Sequence, residues 1–165
     1  MTKILLSLHV LAAILAVGPV TVAASMYPAA VRKVPVALPS GAGAGAGEAA
    51  GPGDVSTVRL LHRICRVYAG LGIAVPVLGL ATAAAMGVLG DAWLIASITL
   101  TAAAAGLLIA FVLPRQEELL EELADRRPVE HARTARLAMF TGLFNLLWAT
   151  VTVLMIVRPG STTGA

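Results

Sequence analysis

The sequence predicts an all-α protein, a polytopic bundle of four transmembrane helices, and three observations predict it. Hydrophobic residues make up 58% of the 165 and charged residues only 13%, where soluble domains carry roughly 45–50% and about 25%. Four apolar stretches reach the ~20 residues that a spanning helix needs, and none of them holds Asp, Glu, Lys or Arg. The Lys and Arg residues crowd two of the three connections between those stretches. Helices are expected rather than barrel strands, because each stretch is continuously apolar and shows no alternation.

The first span is expected at about residues 4–26, opening after Lys3 and containing Pro19. The second, at about 67–89, continues from a basic lead-in, "STVRLLHRICR". The third, at about 92–113, follows the short "GD" connection and is closed by Pro114. The fourth, at about 137–157, lies between Arg136 and Arg158. Together they form a single four-helix membrane domain over residues 1–165.

Orientation follows from the basic residues. Arg32, Lys33, Arg59, Arg63 and Arg66 lie between the first and second spans, and Arg115, Arg126, Arg127, Arg133 and Arg136 between the third and fourth. The termini supply only Lys3 and Arg158, and the "GD" turn supplies none. The expected arrangement is N-out and C-out, in the plasma membrane of a bacterium. A rival reading takes Lys3, the Gly18-Pro19 break and "VAAS" as a secretory signal cut after Ala24. Cleavage would turn the first basic cluster outward, against the charge bias.

The net charge of +3 therefore reads as membrane orientation. Nucleic acid is excluded as a partner, because no basic face is interleaved with aromatics. The lipid bilayer is the partner the composition demands; a homo-oligomer or a membrane partner protein is a further expectation. A single cysteine, Cys65, excludes an intrachain disulfide and reads as a small packing residue.

Residues 39–54, with the core "SGAGAGAGEAAGPG", lack large apolar side chains and read as a flexible linker. Beyond it, Asp54 or Ser56 is expected to cap a helix. Val58, Leu61, Cys65 and Tyr68 share one helical face, and His62 is expected to be solvated or facing headgroups. In the second basic connection, Leu119, Leu120 and Leu123 form an apolar stripe and Glu122 is spaced to pair with Arg126. Pro128 suits the first turn of the next helix.

Within the spans, small and polar residues are the expected packing devices. Gly79, Ala83 and Gly87 form one ridge, and Ala102, Gly106 and Ala110 another. Thr141, Asn145 and Ala149 repeat that spacing, and Asn145 reads as interhelical glue near mid-membrane. His9 is the one readily titratable side chain in the four spans, and an intramembrane ionisable residue is a functional-site hypothesis by default. At 1.5 Å per residue His9 lies about 9 Å outward of the midplane, level with Ser97, Thr152, Thr82 and Met86, and a hydroxyl of Ser97 or Thr152 would satisfy its ring. His62 falls about 24 Å to the other side, too far to share a haem or metal with His9.

The opening run "LHVLAAILAVGPVTVAASMYP" resembles the start of a family of uncharacterised bacterial integral membrane proteins. More distantly it is similar to the membrane domain of the CopD copper-resistance proteins and to the HemJ type of protoporphyrinogen oxidase. In those groups an early Leu-His is followed by small residues and a helix end carrying an aromatic, here Leu8, His9, Ala12, Ala13 and Tyr27. The resemblance implies a four-helix layout, and the HemJ likeness implies haem association for His9. No catalytic residue and no metal site is named from the residues themselves. The expected function is a non-enzymatic accessory or small-ligand-binding bundle. One alternative is a haem- or metal-associated redox protein using His9; the other is a small transporter with a path past Asn145 and Pro76.

Overall fold

The computed structural model describes residues 2–34, 52–125 and 127–160. The predicted linker lies outside these residues except at its end, where residues 52–54 already form the first turn of a helix. Six α-helices make four rods. The first rod is α1 (Thr2–Lys33). The second is α2 (Pro52–Leu71) followed by α3 (Ala74–Met86). The third is α4 (Ala92–Leu107), a π-helical turn (Leu108–Val112) and α5 (Leu113–Ala124). The fourth is α6 (His131–Val157). Each rod is long and apolar enough to cross a membrane, and the fold is an all-α four-helix membrane bundle.

All four rods outrun the hydrocarbon core. At 1.5 Å per residue, the 32 residues of α1 extend about 48 Å against a core of about 30 Å. The extra turns of α1, α2 and α5 emerge together at one end, which carries nine basic residues among those described; the start of α1, the end of α6 and the Gly90–Asp91 turn share the other.

Two local breaks shape the rods. Pro76 has no N–H to give, and the second rod is pinched just before it. There Ile73 N–H bonds the Gly70 carbonyl at 3.3 Å and Val75 N–H the Gly72 carbonyl at 3.1 Å, three residues back instead of four. Pro114 does not close the third rod. In an unbroken α-helix its ring would strike the Ala110 carbonyl; the π-turn, with Leu113 N–H reaching five residues back to Leu108, widens the backbone and lets the helix run on to Ala124. Pro128 likewise sits outside α6, whose N-cap is Glu130 in extended conformation.

The main core runs from mid-bundle to the basic end. It joins Val20, Ala24 and Tyr27 of α1, Val58, Leu61 and Cys65 of α2, Ala104, Leu108 and Val112 of the third rod, Leu119 and Leu123 of α5, and Leu137 and Phe144 of α6. A smaller cluster of Ala83, Trp93 and Leu94 closes the terminal end. Large apolar side chains such as Ile14, Leu15, Ile73, Leu146 and Ile156 point outward. In water that surface would aggregate; in lipid it faces a solvent of its own kind.

Two collars of polar anchors mark the edges of this surface. At the terminal end Trp93 donates its indole N–H to Asp91 (2.9 Å), and the Arg158 guanidinium lies 5.7 Å from the Trp93 ring centre. At the basic end stand Arg115 and Arg136. Trp93 to Arg115 and Arg136 to Arg158 are each 22 residues, about 33 Å of helix, close to one hydrocarbon thickness.

Candidate functional site

His9 is half-buried between α1 and α3. Its ring packs against Gly79: a Cβ there would stand only 2.9 Å from His9 Cε1 and 3.3 Å from Nδ1. The absence of a side chain at 79 is therefore what admits the ring. His9 Nδ1 sits 3.0 Å from the Val75 carbonyl, so it carries the proton and donates. That leaves Nε2 as a lone-pair acceptor with no protein partner among the described residues.

The expected hydroxyl partners are elsewhere. Ser97 is buried and bonds the Trp93 carbonyl at 2.8 Å; Thr152 is exposed and bonds the Trp148 carbonyl at 2.9 Å. Both are satisfied by their own helix one turn back, the usual resort of Ser and Thr in an α-helix. The packing ridges also divide differently from their spacing. Gly79 receives His9, and Ala83 packs with Trp93 and Leu94. Gly87 is the C-cap of α3 at φ 72°, a left-handed conformation that suits glycine. Ala102, Gly106 and Ala110 face outward, and a Cβ at Gly106 would meet nothing within 4 Å. The buried row of that rod is Ala104, Leu108 and Val112.

A second polar cluster lies where α1, α2 and α5 meet. Tyr27 is fully buried and donates its hydroxyl to the Gln116 carbonyl at 2.5 Å. The Gln116 side chain spans two groups of α2: Oε1 accepts from His62 Nδ1 at 3.3 Å, and Nε2 donates to Cys65 Sγ at 3.6 Å. His62 is thus buried rather than solvated, because α5 continues past Pro114 and lays Gln116 over it. Gln116 belongs to no sequence motif. Its signal was position: it falls three and seven residues before Leu119 and Leu123, on the same apolar stripe.

Asn145 ties α6 to α1 by donating to Ser25 Oγ at 3.0 Å. Its Oδ1, and one turn earlier the Thr141 hydroxyl, are buried without partners among the described residues. Glu122 pairs with Arg133, which also reaches Glu118 at 3.2 Å; Arg126, the partner the spacing suggested, lies outside the described residues.

A cavity of about 140 Å³ opens beside the pinch in the second rod, lined by Val20, Tyr68, Ile73, Pro76, Leu108 and Trp148 among others. Its α1 wall begins at Ala16, two turns along the same face from His9. No group of three or more His, Cys, Asp or Glu able to hold a metal occurs among the described residues. No known family model, curated protein or solved structure matches the chain.

Proposed function

We propose that the protein is a non-enzymatic membrane bundle that binds a small, mainly apolar ligand within the membrane, with His9 as the polar contact. One observation carries this reading: the imidazole is fixed by Val75 and Gly79 and keeps Nε2 free. A ring held that way offers a lone pair to a ligand donor at no cost in side-chain ordering. The cavity two turns along α1 supplies room for an apolar body. Brominated long-chain alcohol titrated against Trp148 fluorescence, in a Trp93→Phe background, tests it. Quenching should saturate, and His9→Ala should weaken binding about fivefold, the value of one hydrogen bond. Non-saturating quenching, or an unchanged affinity in His9→Ala, overturns the proposal.

A second reading is favoured by the same ring. Nδ1–H on a backbone carbonyl with Nε2 free is how ligating histidines are held, so His9 fits one axial position of a haem. The chain would need its other ligand from a partner or a non-His group. A Soret band after expression with haem supply, lost in His9→Ala, is the outcome that reading requires.

For the membrane and its sidedness we infer a bacterial plasma membrane with both termini outside, from ten Lys and Arg at one end against two at the other. A cysteine introduced at Ser161 should label from outside only; labelling only from the cytoplasm reverses the orientation.

A further inference from the structure

Along the seam between the third and fourth rods, side chains are ordered by polarity. Deepest is a stacked pair, Phe111 on Phe140, with ring centres 5.0 Å apart and planes 18° from parallel. Outermost is Arg133, held by Glu118 and Glu122. Between them stands Arg115, its guanidinium 4.6 Å from the centre of Phe140 and 6.0 Å from that of Phe111. Arg136, exposed, lies one turn before Phe140 on the same face of α6.

The π-turn is what aims Arg115 this way. Its extra residue rotates everything beyond it by about 100° relative to a continuous α-helix. The guanidinium face is spent on the aromatic rings, and the forked N–H edge remains for an acceptor. Neither Arg115 nor Arg136 has an acidic partner among the described residues; on the same seam Glu118 and Glu122 both pair with Arg133. Two like charges on one face therefore have no ion pair of their own. Both stand one or two residues beyond the apolar runs, at headgroup depth, while Phe111 and, one turn deeper on α6, Leu143 leave an exposed apolar face beneath them.

We propose that Arg115 and Arg136, above Phe111 and Phe140, form a seat for an anionic phospholipid. The phosphate lies between the two guanidinia, and an acyl chain runs down over Phe111 and Leu143. Charge complementarity selects this occupant: an apolar face topped by two cations without ion pairs matches a molecule with an anionic head and a hydrocarbon tail.

Phosphatidylglycerol titrated into the full-length protein in zwitterionic detergent, with bound lipid read by native mass spectrometry, tests the seat. Each of Arg115→Gln and Arg136→Gln should weaken binding about fivefold, and the pair together about thirtyfold, at the usual worth of a basic residue near an anionic surface. Arg115→Lys with Arg136→Lys should retain most of the binding. Phosphatidylcholine should bind no better than to the double Gln variant, and inorganic phosphate at matched concentration should not displace the lipid. Undiminished binding in the double variant, equal binding of phosphatidylcholine, or displacement by free phosphate overturns the seat. Should Arg115→Gln disturb folding through the lost aromatic contact, Arg136→Gln alone decides: a fivefold loss supports the seat, and no loss rejects it.

Discussion

Gly79 and His9 work as one unit, and neither is intelligible without the other. By spacing alone Gly79 belongs with Ala83 and Gly87 to a helix-packing ridge. Spacing reports which residues share a face, but not what meets that face: here it is an imidazole, not a backbone. Gly79→Ala would force the ring outward by several tenths of an ångström and stretch its 3.0 Å bond to Val75. We expect a loss of about 1 kcal/mol, the worth of one hydrogen bond. In the His9→Ala background the same substitution should be neutral, and that double-mutant cycle in thermal unfolding is the measurement. Additive losses would mean that Gly79 serves the helix and not the histidine.

Among elements, the continuation of the third rod past Pro114 has the widest effect. It carries Gln116 over α2, buries His62, and lets the Tyr27 hydroxyl of α1 reach the Gln116 backbone, so three rods are joined at one residue. Gln116→Leu would leave the Tyr27 bond in place and strip His62 Nδ1–H of its buried partner. An orphaned donor of that kind costs about 1–3 kcal/mol. Unfolding in detergent should show that loss, Cys65 should become less reactive toward maleimide because the Gln116 donor that lowers its thiol pKa is gone, and His62→Leu in the same background should restore part of the stability. The rod was legible in its apolar part because hydrocarbon demands an uncharged run of a certain length. Which of its faces points inward was not. In lipid both faces of a spanning helix are apolar, so Ala102, Gly106 and Ala110 read no differently from Ala104, Leu108 and Val112. The π-turn then shifts the phase of everything after it, a displacement that no periodic pattern announces.

Over the whole molecule the number and order of the long apolar helices could be read from composition and hydropathy alone. The candidate site was legible only in part. His9 stands out as the titratable residue of the apolar runs, whereas its partners Val75 and Gly79 carry no chemical label, since one offers a backbone carbonyl and the other an absence. The same composition that hides the inner face fixes the outer one, through the collars of Trp93 with Arg158 and of Arg115 with Arg136, about 33 Å apart along their rods. Rigid rods with anchors at both ends make that separation a measuring gauge. In phosphatidylcholine bilayers of graded acyl length, thermal stability should peak where the hydrocarbon is near 30 Å and fall on both sides by fractions of a kcal/mol per Å. A monotonic rise with chain length would show that the collars do not set the fit. Where a cell holds membranes of unequal thickness, such a gauge is an address: the protein would be retained in the bilayer whose thickness it spans and drain from thinner ones.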